Sequence, residues 1–421
     1  MICPKPTAIT GLGCLSGAGL DMTESMENMF AGKRNPQPPT KFTTDHPVAS
    51  LVLELRDEFK LPLNADETVY SRTCQLALAA ALQALVDAGW DQENLRGQRV
   101  GVCLGTTVGC ALNCDDFYRV YRGDGGDGGD GGDEGDEGDE GDEGDEEEET
   151  PDMGIIERFL RSNPAAVVAH QLKLDGPVQT VVNACSSGTD AIGIGAGWLR
   201  AGACDIVIAG GADELLRLTY SGFSSLMITA PEPCKPFDLN RKGLNLGEGA
   251  GVMILESDAL SKTKSKKGFL RGYGSACDAY HLTAPHPEGT GLKRAIAEAL
   301  ATAQLMTADI AFVNAHGTGT PDNDRVESRV LNEVFPGIPF GSTKGYTGHT
   351  LGAAGGIEAV FTVACLNRGA IPASIGFSTP DSELPATPVD KNTTIFGDFA
   401  LTESLAFGGN NAVLVLAKGD D

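Results

Sequence analysis

The sequence predicts an α/β fold made of two similar halves, and three observations carry that expectation. Short β-branched apolar runs alternate with helical, Ala- and Leu-rich segments along most of the 421 residues. One such run leads into a helical segment bearing Gly193, Gly195 and Gly197. Each glycine costs a helix about 1 kcal/mol relative to Ala, so this helix needs something packed very close to it and belongs at the centre of the molecule. There is also an internal echo. Gly188-Thr189-Asp190-Ala191-Ile192, with Arg200 beyond it, matches Gly356-Ile357-Glu358-Ala359-Val360 with Arg368 at the same spacing. Both are glycine-entered helices with an acid in the first turn and an Arg in the last. Part of the match is ordinary helix grammar, and the rest supports a duplicated α/β unit.

Taken in order, Thr7 to Gly11 is a strand, followed by Gly- and Ser-rich turns and an amphipathic helix from Asp21 to Ala31 that Gly32 stops. Residues 33–65 carry Pro36, Pro38, Pro39, Pro47 and Pro62 and should be irregular. Arg72 to Ala88 is a helix with Leu78, Leu82 and Leu85 on one face and Gly89 as its stop. Arg99 to Leu104 is a strand entering the turn Gly105-Thr106-Thr107-Val108-Gly109. Val178, Thr180, Val181 and Val182 read as a buried strand, Thr189 to Arg200 as the glycine-bearing helix, and Ile206 to Ala209 as the next strand. Residues 231–251 form a long loop feeding Val252–Glu256. The Lys-rich stretch Ser261 to Gly268 is an exposed connection, dividing the chain into halves at 1–257 and 265–421. The second half offers helices near Leu292–Thr302, Asp324–Val334 and Gly356–Leu366, with strands at Ile310–Asn314 and Ala412–Leu416.

The formal charge of −26 is misleading, because 16 acidic residues and no basic ones lie between Asp124 and Glu149, leaving −10 for the rest. Residues 123–150 are Gly-Asp and Gly-Asp-Glu repeats without apolar side chains, and are expected to be a disordered surface insertion. The repeat lacks a calcium-loop pattern. Nucleic acid is excluded as a partner by the acidic remainder. Eleven cysteines without zinc-ligand or disulfide-framework spacing, Cys110 and Cys114 being the closest pair, point to a reducing cytoplasm. The N-terminus shows no signal-peptide pattern, and no apolar run reaches the roughly 18 residues that a membrane span needs.

Three stretches carry chemistry. Cys185 lies in a polar turn between a strand and a helix, where the positive helix end favours a thiolate and backbone N–H groups can bind an oxyanion. His316, in Asn314-Ala315-His316-Gly317-Thr318-Gly319-Thr320-Pro321, follows a strand. His349 stands in Lys344-Gly345-Tyr346-Thr347-Gly348-His349-Thr350-Leu351-Gly352. These are the two of six histidines that sit in Gly/Thr-rich turns; His46, His170, His281 and His286 have ordinary surroundings.

Together with Ala184-Cys185-Ser186-Ser187-Gly188, Pro236-Phe237-Asp238 with Arg241, Gly247-Glu248-Gly249-Ala250-Gly251 and Phe407-Gly408-Gly409-Asn410-Asn411, these stretches resemble the motif set of the β-ketoacyl-acyl-carrier-protein synthases. Those are condensing enzymes of the thiolase superfamily, and the similarity runs from about residue 7 to 417, interrupted by the acidic tract. The resemblance implies a thiolase-like duplicated fold in α-β-α-β-α layers. It implies that Cys185 takes an acyl chain from acyl carrier protein (ACP), and that the N–H groups of Cys185 and Phe407 form an oxyanion hole. Phe407 would also gate the acyl pocket. His316 and His349 would stabilise the enolate formed when malonyl-ACP loses carbon dioxide, and Lys344 and Glu327 would orient the histidines. Thr318 and Thr320 would bind the phosphopantetheine arm, and Val108 and Phe223 would line the acyl tunnel. The expected partners are ACP and a second ketosynthase-like chain, in a homodimer or heterodimer, with no metal or bound cofactor. A basic patch including Arg72 would dock the carrier.

Two departures stand near the entrance: Lys242 where the family usually has an acid, and Asn410 where it has Thr. A thiolase is disfavoured because no second Cys stands in a Cys-x-Gly stretch near the C-terminus, and an initiating Cys-His-Asn synthase is disfavoured by His349. A non-condensing chain-length factor is disfavoured by Cys185. Deleting Gly123–Glu149 should leave acyl transfer largely intact, as read by intact mass of the acylated protein and of the ACP products.

Overall fold

The structure is a computed structural model. It describes residues 5–44, 46, 48–56, 70–109 and 153–420; the expected acidic insertion at 123–150, with Cys110 and Cys114, lies outside them.

Ten strands form the main sheet: β1 (Thr7–Ser16), β2 (Val100–Gly105), β3 (Val178–Val181), β4 (Ile206–Asp213), β5 (Gly249–Glu256), β6 (Gly268–Cys277), β7 (Ile310–Asn314), β8 (Phe340–Gly341), β9 (Phe399–Ala406) and β10 (Asn410–Lys418). The first five run spatially β3-β2-β4-β5-β1 and the second five β8-β7-β9-β10-β6, the same order strand for strand. Directions agree too. In each set the first three strands are parallel, and the fourth and fifth join antiparallel. The echo between two helices is therefore the visible trace of a duplication that extends through both five-strand sets of the sheet. The sets meet where Thr7–Ile9 pairs with Gly268–Leu270.

Six helices complete the layers: α1 (Arg72–Asp87), α2 (Pro164–Leu172), α3 (Ser187–Arg200), α4 (Thr290–Ala303), α5 (Pro321–Val334) and α6 (Ala354–Arg368). The two echo helices, α3 and α6, touch each other and strands of both sets, so they form the middle layer. Helices α1 and α2 cover the outer face of the first set, while α4 packs on β6 and β10 of the second and carries α5 against it. Three apolar cores follow from this stacking. The central one joins Ile192 and Ala196 of α3 to Val360 and Phe361 of α6, and the outer two lie beneath α1 and α4. This is the thiolase-like duplicated α-β-α-β-α arrangement.

The glycines of α3 have the close neighbours expected of them. A Cβ on Gly193 would lie 2.4 Å from the Tyr273 ring, and one on Gly195 would lie 2.8 Å from a methyl of Val207. Gly197 differs, because its nearest neighbour would be Arg200 at 4.0 Å.

Two expectations fail for physical reasons. The strand before Cys185 is not buried: Val178 is 43% exposed and Val182, just beyond it, is 64% exposed, because β3 is the edge of the sheet. A β-branched run reads alike in sequence whether it is central or marginal. Strands β6 and β9 were not anticipated either. In β6, Gly272 and Gly274 let the backbone of α4 approach, with Ala299 and Ala295 carbonyls where a Cβ would stand, so the apolar alternation is missing. In β9, Thr402, Glu403 and Ser404 are polar yet fully buried. Gly193→Ala should destabilise the protein by about 1–3 kcal/mol through overpacking, and Gly197→Ala should stabilise it by about 0.5–1 kcal/mol. Denaturant midpoints of the two variants measure the contrast.

Candidate active site

Strand β3 ends in a turn that places Cys185 just before α3. Ala184 adopts φ 48°, a left-handed conformation costly for a side chain with a Cβ, so other contacts must hold it. Asp190, in the first turn of α3, supplies them. It accepts hydrogen bonds from Asn183 Nδ2 (2.6 Å), Ser186 Oγ (2.8 Å) and Tyr273 OH (2.7 Å). Ser187 Oγ closes the turn by accepting from Asn183 N–H (2.8 Å) and donating to the Ala184 carbonyl (2.6 Å). The resulting thiol is 3% exposed. The backbone N–H groups of Cys185 and Phe407 both act on its sulfur, in the direction that favours negative charge there. Their placement fits the expected oxyanion hole.

Burial decides the state of that thiol. It pushes Cys185 up to about 11, outweighing the lowering effects of the Lys344 charge and of the Phe407 and Cys185 N–H groups. A thiolate favoured by the helix end, expected from sequence, is therefore not the resting form.

His316 follows β7, and its loop is held from behind. Glu327 on α5 accepts from His316 N–H at 2.5 Å and from Gly317 N–H at 2.7 Å, and Asn323 donates to the same carboxylate at 3.0 Å. Lys344 Nζ lies 3.1 Å from His316 Nδ1. An ammonium can only donate, so Nδ1 is the acceptor and the imidazole proton resides on Nε2. His349 reaches the same tautomer differently: its Nδ1 accepts from Leu351 N–H at 3.1 Å, which again leaves the proton on Nε2. Both rings are buried, and burial together with the Lys344 charge holds both well below the ordinary histidine range. They are neutral donors, stacked edge to face with centroids 5.2 Å apart.

The partner of Lys344 is Glu358 of α6, in an ion pair whose side chains are 1% and 2% exposed. Glu358 is the residue sequence reasoning passed over as helix grammar. The available signal was its isolation, a single charge within the apolar run Ala354–Leu366. Burial pushes its carboxyl up to about 7 against the pull of Lys344. Glu327 does differ from expectation in one respect, since it grips the backbone of His316 and not the imidazole.

Cys185, His316 and His349 line one cleft of about 330 Å³, together with Phe407, Phe223, Thr318 and Thr320. Phe407 stacks on Phe223 at 5.3 Å and 12°, and Phe223 meets His349 edge-on at 6.4 Å. The Thr318 and Thr320 hydroxyls are 2.8 Å apart. Val108 is not among the residues lining this cleft, so its expected tunnel role has no support. Nor is Arg72 a free docking charge. Its guanidinium makes two hydrogen bonds of 2.8 Å to the buried Glu248 carboxylate, a commitment that sequence cannot show. Lys242 is exposed and pairs with Glu232 at 3.1 Å, while Asn410 Nδ2 lies 3.5 Å from the Phe407 carbonyl.

This arrangement can be set beside known proteins. Residues 5–260 match the family described as "Beta-ketoacyl synthase, N-terminal domain" and residues 267–378 match "Beta-ketoacyl synthase, C-terminal domain". A protein named 3-oxoacyl-[acyl-carrier-protein] synthase 2 from Synechocystis sp. is 31% identical over 430 residues, covering 98% of each chain. Its namesake from Staphylococcus aureus is 31% identical over 434 residues, again covering 98% of each. Among solved structures, the ishigamide ketosynthase/chain length factor superposes with a TM-score of 0.88 at 29% identity, over 99% of both chains. A ketosynthase in complex with its chain length factor from Xenorhabdus doucetiae gives 0.81 at 29% identity over 98% of both. With both family regions matched and the sulfur and two imidazoles gathered on one cleft, the chain belongs to the beta-ketoacyl synthase family.

Proposed function

We propose that the protein catalyses a decarboxylative Claisen condensation, in which malonyl-ACP lengthens an acyl chain held on Cys185 and yields 3-oxoacyl-ACP and carbon dioxide. The observation that carries this is the pairing of a buried sulfur with two neutral Nε2–H donors on a single cleft.

The chemistry divides into two charge-stabilisation problems. In the first, Cys185 Sγ attacks the thioester carbonyl of acyl-ACP. The developing oxyanion accepts from the Cys185 and Phe407 N–H groups, and the carrier's thiol departs with a proton. Because both imidazoles already hold their proton on Nε2, neither can take the Sγ proton without first losing its own. In the second, the carboxylate–carbon bond of malonyl-ACP breaks and its electron pair moves onto the thioester oxygen as an enolate. His316 and His349 donate to that oxygen. Neutral rings serve here because each is a ready donor, fixed by a partner on Nδ1 before the substrate arrives. The enolate carbon then attacks the acyl carbonyl, and the carbon–sulfur bond breaks with its electron pair on the sulfur. The thiolate so released takes a proton from solvent, since its first proton left with the carrier's thiol. Thr318 and Thr320 line the approach for the phosphopantetheine arm, and Phe407 with Phe223 forms the apolar gate.

The named relatives are 3-oxoacyl-ACP synthases, and one solved neighbour is a ketosynthase in complex with a type II PKS acyl-carrier protein, so the product belongs to fatty-acid or related polyketide synthesis. The partners are ACP and a second ketosynthase-like chain. The edge strand β3, with Val178 exposed, offers unpaired backbone for such a dimer. Eight free cysteines among the described residues support the cytoplasm as its compartment. Retention of Cys185 beside both histidines favours a condensing subunit over a chain-length factor.

Cys185→Ala should abolish the acyl mass shift produced by acyl-ACP. His316→Ala should keep that shift and lose malonyl-ACP decarboxylation by about a hundredfold or more, the scale of a lost oxyanion donor. Alanine at 185 with full condensing activity would refute the assignment. The state of the thiol gives a second check. Since burial raises Cys185 to about 11, its thiolate fraction at neutral pH is small and grows about tenfold per pH unit. Alkylation of Cys185 followed by mass should therefore keep rising from pH 7 to pH 9 without a plateau.

A further inference from the structure

Among the described buried acids that the chemistry above does not use, one has both carboxylate oxygens unpartnered. Glu403 lies on β9 with 0% exposure, and no protein donor reaches either of its carboxylate oxygens. Unpaired buried carboxylates are costly, and a group so placed either finds a counter-charge or keeps its proton. The charged groups facing it are Glu327 from α5, Glu358 from α6, and Lys344. Lys344 is already committed to Glu358 and His316. The group that meets the Glu403 carboxyl directly is Glu327. Two carboxylates cannot share a contact in a dry site unless a proton lies between them.

The donors decide which carboxyl holds that proton. Glu327 receives three, from His316 N–H, Gly317 N–H and Asn323 Nδ2, whereas Glu403 receives none. We propose that Glu403 is a positioning residue: a neutral acid whose O–H donates to Glu327, completing the clamp that fixes the backbone of His316. Burial and the neighbouring Glu327 and Glu358 charges hold Glu403 well above the usual carboxylate range, against the opposing pull of Lys344. As a carboxylate, Glu403 would repel Glu327 from the His316 loop. As a neutral acid it supplies a donor to the one carboxylate that grips the loop, and it acts on the enolate only through that loop.

The inference rests on the condensing reaction proposed above, so its test separates the two. Difference infrared spectra of wild type minus Glu403→Gln at neutral pH should show the carbonyl band of a protonated carboxylic acid, whatever the enzyme's activity. Only carboxylate bands in that difference would overturn the proposal. In the activity arm, wild type loaded with a medium-chain acyl-ACP is given malonyl-ACP, and failure of wild type to decarboxylate it would count against the condensing function alone. Glu403→Gln, whose amide still donates, should decarboxylate within about twofold of wild type. Glu403→Leu should lose about a hundredfold in kcat, as misplacement of a reacting group does, while loading of Cys185 proceeds at the wild-type rate. Equal losses in loading and decarboxylation, or a leucine variant as fast as wild type, would also overturn it.

Discussion

The site depends on one ion pair in a place where ion pairs are expensive. Lys344 and Glu358 are almost wholly buried, so each has given up its water, and their attraction must offset that loss. The return lies in geometry more than in stability. Lys344 cannot swing away from Glu358, so a second of its three N–H donors stays on His316 Nδ1 and the tautomer of that ring is fixed. Removing either member would leave a bare charge inside the protein, and the imidazole would lose its orientation with it.

The duplication explains where the parts of this apparatus come from. Asp190 and Glu358 occupy corresponding positions in the two middle-layer helices, each two residues past a glycine, Gly188 and Gly356. In the first copy the acid ties down the turn that presents a sulfur. In the second it anchors a lysine behind a histidine. The two helices can meet because their entries are glycines: a Cβ on Gly188 would lie 2.8 Å from both Gly352 O and Gly356 N. Close approach of the copies is thus what brings a nucleophile from one half to the donors of the other. A single half would carry only part of the chemistry.

Much of this was legible in the sequence because local rules and tertiary demands agreed there. Strand-turn-helix grammar around Cys185, the Gly/Thr turns around His316 and His349, and the glycines of α3 each state their own structural requirement. What stayed hidden had no local signature. Strand β9 carries three consecutive buried polar residues, so its pattern resembles a loop, yet Ser404 is polar because of a partner far away in sequence, the Thr189 hydroxyl. The edge position of β3 is a property of the whole sheet, invisible in Val178–Val181 alone. Arg72 looked like a surface charge because nothing near it in sequence reveals Glu248, 176 residues away. The thiolate expectation failed for a related reason. A helix end is readable from sequence, but the depth of the turn beneath surrounding layers is not, and depth dominates here.

Burial therefore acts in the same direction on every reacting group. It keeps the Cys185 thiol protonated and both imidazoles neutral, so the cleft holds little free charge before substrate binds. Such a site has a physical advantage for the proposed reaction. The enolate and the tetrahedral oxyanion are the charges that must be stabilised, and they form among fixed N–H dipoles in a medium of low polarity. Water would have to reorient around each new charge, whereas these donors already point where it appears. The fixed cation, Lys344, stands behind His316 and is balanced by Glu358, so it polarises the ring without offering itself to the substrate carboxylate. The neutral resting state of the cleft and its preference for transient anions are two consequences of the same depth.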